Sequence, residues 1–335
     1  MGFSGLPKIL RLVFITIFAA IILVFLASEL LPKKTYTQNF DYNIAEIPKD
    51  LDQFLELSEN EVSGLLEDTK KQIVWVNEKK KTPISILYVH GFSSSKQETR
   101  PLADLVASHF NANLFYTRLA GHGQSSGKML EVSLSDWIYD LSEALEIGKR
   151  IGNKTVIIAT STGATLVTLA LANAPAELKN SISGVIFISP NFGIAHYSAP
   201  FLTLPMSHQW GPLLFGNEQS FKPISDLHEK YWSLTQPTNN IIEMAHLVKT
   251  ISFLDLDVIQ TPAFFIYSQD DKVVNPKKTK LVSSEWGTDV NELLVTPTTD
   301  DDPFKHVIAG DIRSPSLTKF IATKVIEWIV NLDLN

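Results

Sequence analysis

Ser161 closes a short apolar, β-branched run at 155–158 that continues through Ala159 and Thr160, and it is followed by Thr162, Gly163 and a helix-favouring stretch at 164–172. Small residues around a serine at a strand-to-helix junction place its hydroxyl on a sharp, exposed turn. A serine hydroxyl is a weak nucleophile at neutral pH, so it needs a base within hydrogen-bond reach and amide donors for the oxyanion it creates. Later loops supply candidates for both partners. The apolar run 262–267 leads into Ser268-Gln269-Asp270-Asp271, and the run 292–295 leads into a polar loop carrying His306. His306 would take the proton from Ser161, while Asp270 or Asp271 would hold the imidazole tautomer and stabilise its charged form. A strand at 84–89 ends in His90-Gly91-Phe92, so the amide of Phe92 opposite that of Thr162 forms the expected oxyanion hole.

Such groups converge only if strands deliver them to one edge of a sheet. Strands are expected at 73–76, 84–89, 113–117, 155–159, 184–189, 263–267 and 292–295, alternating with helices near 97–109, 134–151, 162–174, 276–285 and 315–331. This βαβ alternation implies an α/β fold with a mostly parallel sheet flanked by helices. Ser133 with Asp136 has the spacing of a helix cap, and Trp137, Leu141, Leu145 and Ile147 mark that helix's buried stripe.

The chain resembles α/β-hydrolases of the monoacylglycerol lipase, carboxylesterase and serine aminopeptidase-like group. The resemblance is carried by His90-Gly91-Phe92, Arg118 with Gly121-His122-Gly123-Gln124-Ser125, the turn at Ser161, Asp271-x-Val273-Val274 and His306-Val307-Ile308, and it runs from about residue 70 to the end. It implies an α/β-hydrolase fold, hydrolysis of an ester or amide through a covalent acyl-enzyme, no cofactor, and Asp271 as the acid. His90 and His122 are expected to brace loops. Ala159 departs from the first glycine of G-x-S-x-G. An amide or peptide hydrolase, or a non-catalytic scaffold that binds a lipid or protein partner, would carry the same motifs.

With 335 residues and 44% hydrophobic content, the chain can bury one large core with appendages. A formal net charge of -7 argues against a nucleic-acid surface, and zero cysteines exclude a thiolate nucleophile and a cysteine metal site. No metal is expected. The lysines 70, 71, 79, 80 and 81 read as solvated turn residues, and Asp300-Asp301-Asp302 as an exposed loop.

Residues 1–31 hold Lys8, Arg11 and an uncharged run at 12–28, which is expected to be an uncleaved transmembrane anchor, with a signal peptide as the alternative. The charge balance around it favours a hydrolase domain on the outer side. Residues 32–70 then form a linker with a short helix, 71–191 the first part of the core, 192–258 an inserted helical lid, and 259–335 the second part. The insertion exceeds an ordinary loop. Its Phe201, Leu204, Met206, Trp210, Leu214, Phe215 and Trp232 are the expected lining of an acyl pocket, which points to a lipid-like ester as substrate.

Overall fold

The computed structural model describes residues 7–16, 19, 40, 47–332 and 334. Most of the apolar run 12–28, and with it most of the expected anchor, lies outside the described residues. Residues 8–16 are helical and exposed apart from half-buried Arg11. Among the described residues no helix is long and apolar enough to cross a membrane.

The expected short helix is α1, Leu51–Asn60, capped where the Asp50 carboxylate accepts the Gln53 amide at 3.1 Å. Leu51 and Leu55 face the core, and Glu59 reaches between elements to pair with Arg118 in two hydrogen bonds of 2.7 and 2.8 Å. A buried fork-to-fork pair of this kind fixes orientation as well as distance. The helix is therefore part of the domain rather than a loose linker.

Seven strands make the central sheet: β1 Gln72–Val74, β2 Thr82–Val89, β3 Asn113–Tyr116, β4 Gly152–Thr160, β5 Ile182–Ile188, β8 Ala263–Tyr267 and β9 Val290–Leu294, in the order β1-β3-β2-β4-β5-β8-β9. Only the β1–β3 pair is antiparallel. Strands β2, β4 and β5 are apolar and β-branched on both faces because helices cover both sides, as parallel sheets require. Helices α2 (Leu102–His109) and α10 (Pro315–Val330) pack on one face, with α3 (Leu134–Ile151), α4 (Thr162–Asn173) and α9 (Pro276–Ser284) on the other. The expected helix at 97–109 starts only at Leu102, because Pro101 precedes it and the stretch before it is turn. Ser133 and Asp136 cap α3 as a reciprocal box.

Two surface readings are corrected. Lys71 is not a solvated turn residue: it is buried and bonded to Asp140 at 3.0 Å and Glu143 at 2.7 Å on α3. Burial opposes its charge, but Asp140, Glu143 and Glu59 outweigh that and push its ammonium above the usual lysine range. Nor is the aspartate run an exposed loop, since Asp301 and Asp302 are buried and only Asp300 faces solvent.

The insertion between β5 and β8 is not wholly helical. It holds α6 (Ser207–Phe215), α7 (Asp226–Tyr231) and α8 (Thr238–Ile251), with α5 (Ala176–Lys179) preceding β5, and a two-stranded antiparallel ribbon of β6 (Glu218–Ser220) and β7 (Thr235–Pro237). Helix α8 packs on α4, which seats the insertion above the end of β4.

Candidate active site

Strand β4 delivers Ser161 at φ 49° and ψ −117°, a conformation that costs a non-glycine residue about 1–3 kcal/mol and persists only when its surroundings enforce it. Here they do. The Ser161 amide donates to Ile188 O at 3.0 Å at the end of β5, and Ser161 O accepts from the Asn191 amide at 3.1 Å. Gly163 permits the close approach, because a Cβ there would lie 2.5 Å from Val89 O and 2.6 Å from His90 O. Ala159, fully buried, is accommodated two residues before Ser161.

His306 Nε2 lies 3.0 Å from Ser161 Oγ, and its Nδ1 lies 2.7 Å from Asp271 Oδ2. Asp271 Oδ1 accepts the amides of Val273 and Val274 at 2.8 and 2.9 Å, so this carboxylate is fully engaged at the end of β8. Asp270 instead faces solvent and pairs with Lys305 at 3.2 Å. Burial opposes a charge on His306, yet the Asp271 carboxylate outweighs that and holds the imidazole above its ordinary value. Asp302 accepts both the His306 and Val307 amides at 2.9 Å and is bonded to Arg313, so the aspartate run braces the histidine loop. Arg313 Nη1 donates in turn to His228 Nε2 at 2.9 Å, on α7 of the insertion.

The loop after β2 is braced just as tightly. His90 donates from Nδ1 to Gly91 O at 2.8 Å and accepts the Leu119 amide on Nε2 at 3.0 Å. His122 accepts the Ser93 amide on Nε2 at 3.0 Å and donates from Nδ1 to Ala120 O at 3.0 Å. Each therefore needs a neutral ring, and burial keeps it so, lowering His90 to about 4 and His122 well below its ordinary value. The Gly91 and Ser93 amides are thus spoken for. Those of Phe92 and Thr162 have no acceptor among the described residues.

These groups open on a cavity of about 510 Å³. Its walls are Phe92, Phe221, Pro223, Ile224, Trp232, Met244, Val273 and Phe304, with Ser93, Glu98, Asn191, Gln236 and Arg313 as polar points. From the lid residues expected to line it, the structure brings only Trp232 to the cavity. Phe201, Leu204, Met206, Trp210, Leu214 and Phe215 stand outside the lining, and Leu214 is 72% exposed. The reason is geometric: the turn before α7 and Gln236 of β7 line the cavity, and no residue of α6 does. Glu98, Asn191, His228 and Arg313 carry no sequence motif, and Asp302 reads from sequence only as part of an exposed loop; their roles come from the hydrogen bonds they make. Among the described residues no group of histidines and carboxylates could hold a metal ion.

A parallel sheet, a serine on a strained strand-to-helix turn, and acid and histidine on loops after later strands define the α/β-hydrolase fold. The family described as serine aminopeptidase, S33, matches residues 80–299, and the chain belongs to it. A thermostable monoacylglycerol lipase of Bacillus sp. (strain H-257) is 27% identical over 201 residues, covering 60% of this chain and 75% of the relative. Among solved structures, the metagenome-derived lipolytic enzymes LipS and LipT match with a TM-score of 0.62 at 18% identity, over 79% of this chain and 99% of theirs. The monoacylglycerol lipase of Paleococcus ferrophilus matches with a TM-score of 0.57 at 14% identity, over 78% and 98%. A soluble variant of the Saccharomyces cerevisiae monoglyceride lipase gives 0.55 at 14%, over 78% and 90%. At these identities the solved structures speak for the fold.

Proposed function

We propose that this protein is a serine hydrolase that cleaves carboxylic esters with an apolar acyl chain, in the manner of a carboxylesterase or monoacylglycerol lipase. The observation that carries the reading is the continuous chain from Ser161 Oγ through His306 to Asp271, at 3.0 and 2.7 Å, opening on an apolar-walled cavity. Ser161 attacks the ester carbonyl as its proton passes to His306 Nε2, and Asp271 stabilises the imidazolium through Nδ1. The amides of Phe92 and Thr162 receive the oxyanion. On collapse, the C–O bond to the alcohol breaks and His306 protonates the leaving oxygen. Water, activated by the same histidine, then frees the acid from the acyl-serine.

An aminopeptidase must bind a protonated amine, which calls for a free carboxylate near the scissile bond. The carboxylates that line the cavity are both engaged, Glu98 with the Gly91 amide and Asp302 with Arg313 and the His306 and Val307 amides, and the insertion adds none. The similarity to a monoacylglycerol lipase of Bacillus supports the same preference. A tether through residues 12–28, with the hydrolase on the outer side, is part of the proposal and is supported by the basic start and uncharged run of that segment.

The test uses the full-length protein in detergent micelles, with p-nitrophenyl esters of increasing acyl length, matched anilides and a fluorophosphonate label. Ester turnover and labelling that both vanish in Ser161→Ala are expected. Turnover of the anilides alone, or labelling of a different residue, would overturn the reading.

A further inference from the structure

We propose that Glu98 is a positioning residue of the oxyanion loop: through the Gly91 amide it fixes the peptide that offers the Phe92 N–H to the substrate. The inference rests on the serine-hydrolase reading above and deepens it by naming what sets one of its two oxyanion donors.

Glu98 is buried, yet it lines the cavity beside Ser161. Its Oε2 accepts the Gly91 amide at 2.8 Å and the Tyr88 hydroxyl at 3.3 Å. Tyr88 in turn lies 3.2 Å from Thr160 Oγ1, on the residue before the nucleophile, so the carboxyl is linked to the nucleophile's strand through the Tyr88 hydroxyl. Gly91 lies against both Glu98 and the nucleophile: a Cβ built on it would lie 3.0 Å from Glu98 Oε1 and 3.0 Å from Ser161 Cβ. The Gly91 carbonyl is held from the opposite side by His90 Nδ1 and by the Ser94 amide. Donor and acceptor clamps on Gly91, with the Ser93 amide tied to His122, leave the Phe92 N–H between them as the one amide of the stretch 91–94 without an acceptor among the described residues. The Glu98 backbone also packs closely on the chain after His306, since a Cβ on Gly310 would lie 2.4 Å from Glu98 O.

Burial pushes the Glu98 carboxyl up to about 7, against the opposing influences of the Gly91 amide, His306, Tyr88 and Arg313, which are the groups that face it. The contact to Gly91 therefore changes character in the pH range where His306 works. A carboxylate is the stronger acceptor for an amide N–H.

Two readouts test this on the full-length protein in detergent. Only Gly91 and Gly123 follow a histidine, so labelling with carbonyl-13C histidine and 15N glycine isolates two amide signals. One of them is expected to move with a midpoint near pH 7 and to stop moving in Glu98→Gln. In p-nitrophenyl butyrate hydrolysis, Glu98→Ala is expected to lose at least about tenfold in kcat with KM changed less than about threefold, against the hundredfold or more typical of deleting a donor outright. Glu98→Gln, which keeps an acceptor oxygen, recovers most of that loss and alters the shape of the pH profile. Two flat signals in the wild type, or full kcat in folded Glu98→Ala, would overturn the assignment. A titrating signal in a protein without Ser161-dependent turnover would sink the hydrolase reading and reduce the contact to a structural bond.

Discussion

Arg313 Nη1 donates to His228 Nε2 at 2.9 Å, and this single contact joins the insertion to the loop that carries His306. The other side of the guanidinium is bonded to Asp302, whose second oxygen holds the His306 and Val307 amides. Position of the insertion and position of the imidazole are thereby mechanically linked.

Breaking this link has a predictable sign. Asp302→Asn removes the partner of a buried cation and weakens the acceptor under the histidine loop, so the protein is expected to lose about 3–5 kcal/mol of stability and at least about tenfold in kcat. Thermal unfolding and ester turnover, measured side by side, check both. An unaffected kcat would show that the imidazole holds its place without the brace.

Ser161 and its partners make sharper demands. Ser161→Ala and His306→Ala are expected to lose a thousandfold or more in kcat, Asp271→Asn nearly as much, and exposed Asp270→Asn less than about twofold. Inactivation by Asp270→Asn with Asp271→Asn spared would reverse the assignment of the acid.

Backbone strain at Ser161 separates two inactive variants by stability. Alanine keeps the positive-φ penalty and glycine does not, so Ser161→Gly is expected to unfold at a higher temperature than Ser161→Ala, by about 1 kcal/mol. Equal melting temperatures would mean the turn relaxes once the hydroxyl is gone.

Buried titratable groups set opposite pH slopes. His90 and His228 are held down to about 4 by burial, so their contribution to stability is complete above the ordinary histidine value near 6.5 and is lost as pH falls toward 4, roughly 3 kcal/mol apiece. Glu98 runs the other way, because its raised carboxyl favours folding below about 4.5 and loses that benefit as pH climbs through about 7. Glu98→Gln is expected to stabilise the protein by about 3 kcal/mol at pH 8 and by almost nothing at pH 4. Denaturant titrations at both values decide it.

Activity should follow His306 in its own right. The imidazole must be neutral to accept the Ser161 proton, and Asp271 holds it above the ordinary value, so kcat/KM is expected to rise with pH through a midpoint above 6.5. A midpoint below that would show Asp271 failing to stabilise the charged ring.

What could be read from the sequence was what is local. Ser161 and Asp271 lie close behind apolar runs and His306 on the polar loop that follows another, so strand ends point to these candidates, and the αβ alternation announces the sheet. Lys71 was misread because its partners Asp140 and Glu143 lie some seventy residues away. Asp302 looked like a solvated loop residue because its role is to accept backbone amides, which leaves no pattern of side-chain types. The cavity wall was misplaced toward α6 because exposed apolar residues such as Leu214, 72% accessible, look the same in sequence as residues lining a pocket.

The Glu59–Arg118 pair bears on where the cooperative unit of this protein begins. Family similarity starts at residue 80 and stops at 299, leaving out both α1 and His306. Yet a chain cut after α1 would strand a buried guanidinium in a core that already loses Leu51 and Leu55 from its wall. The stretch that looks like a lead-in is a keystone, built into the core upstream of the residues the family model matches.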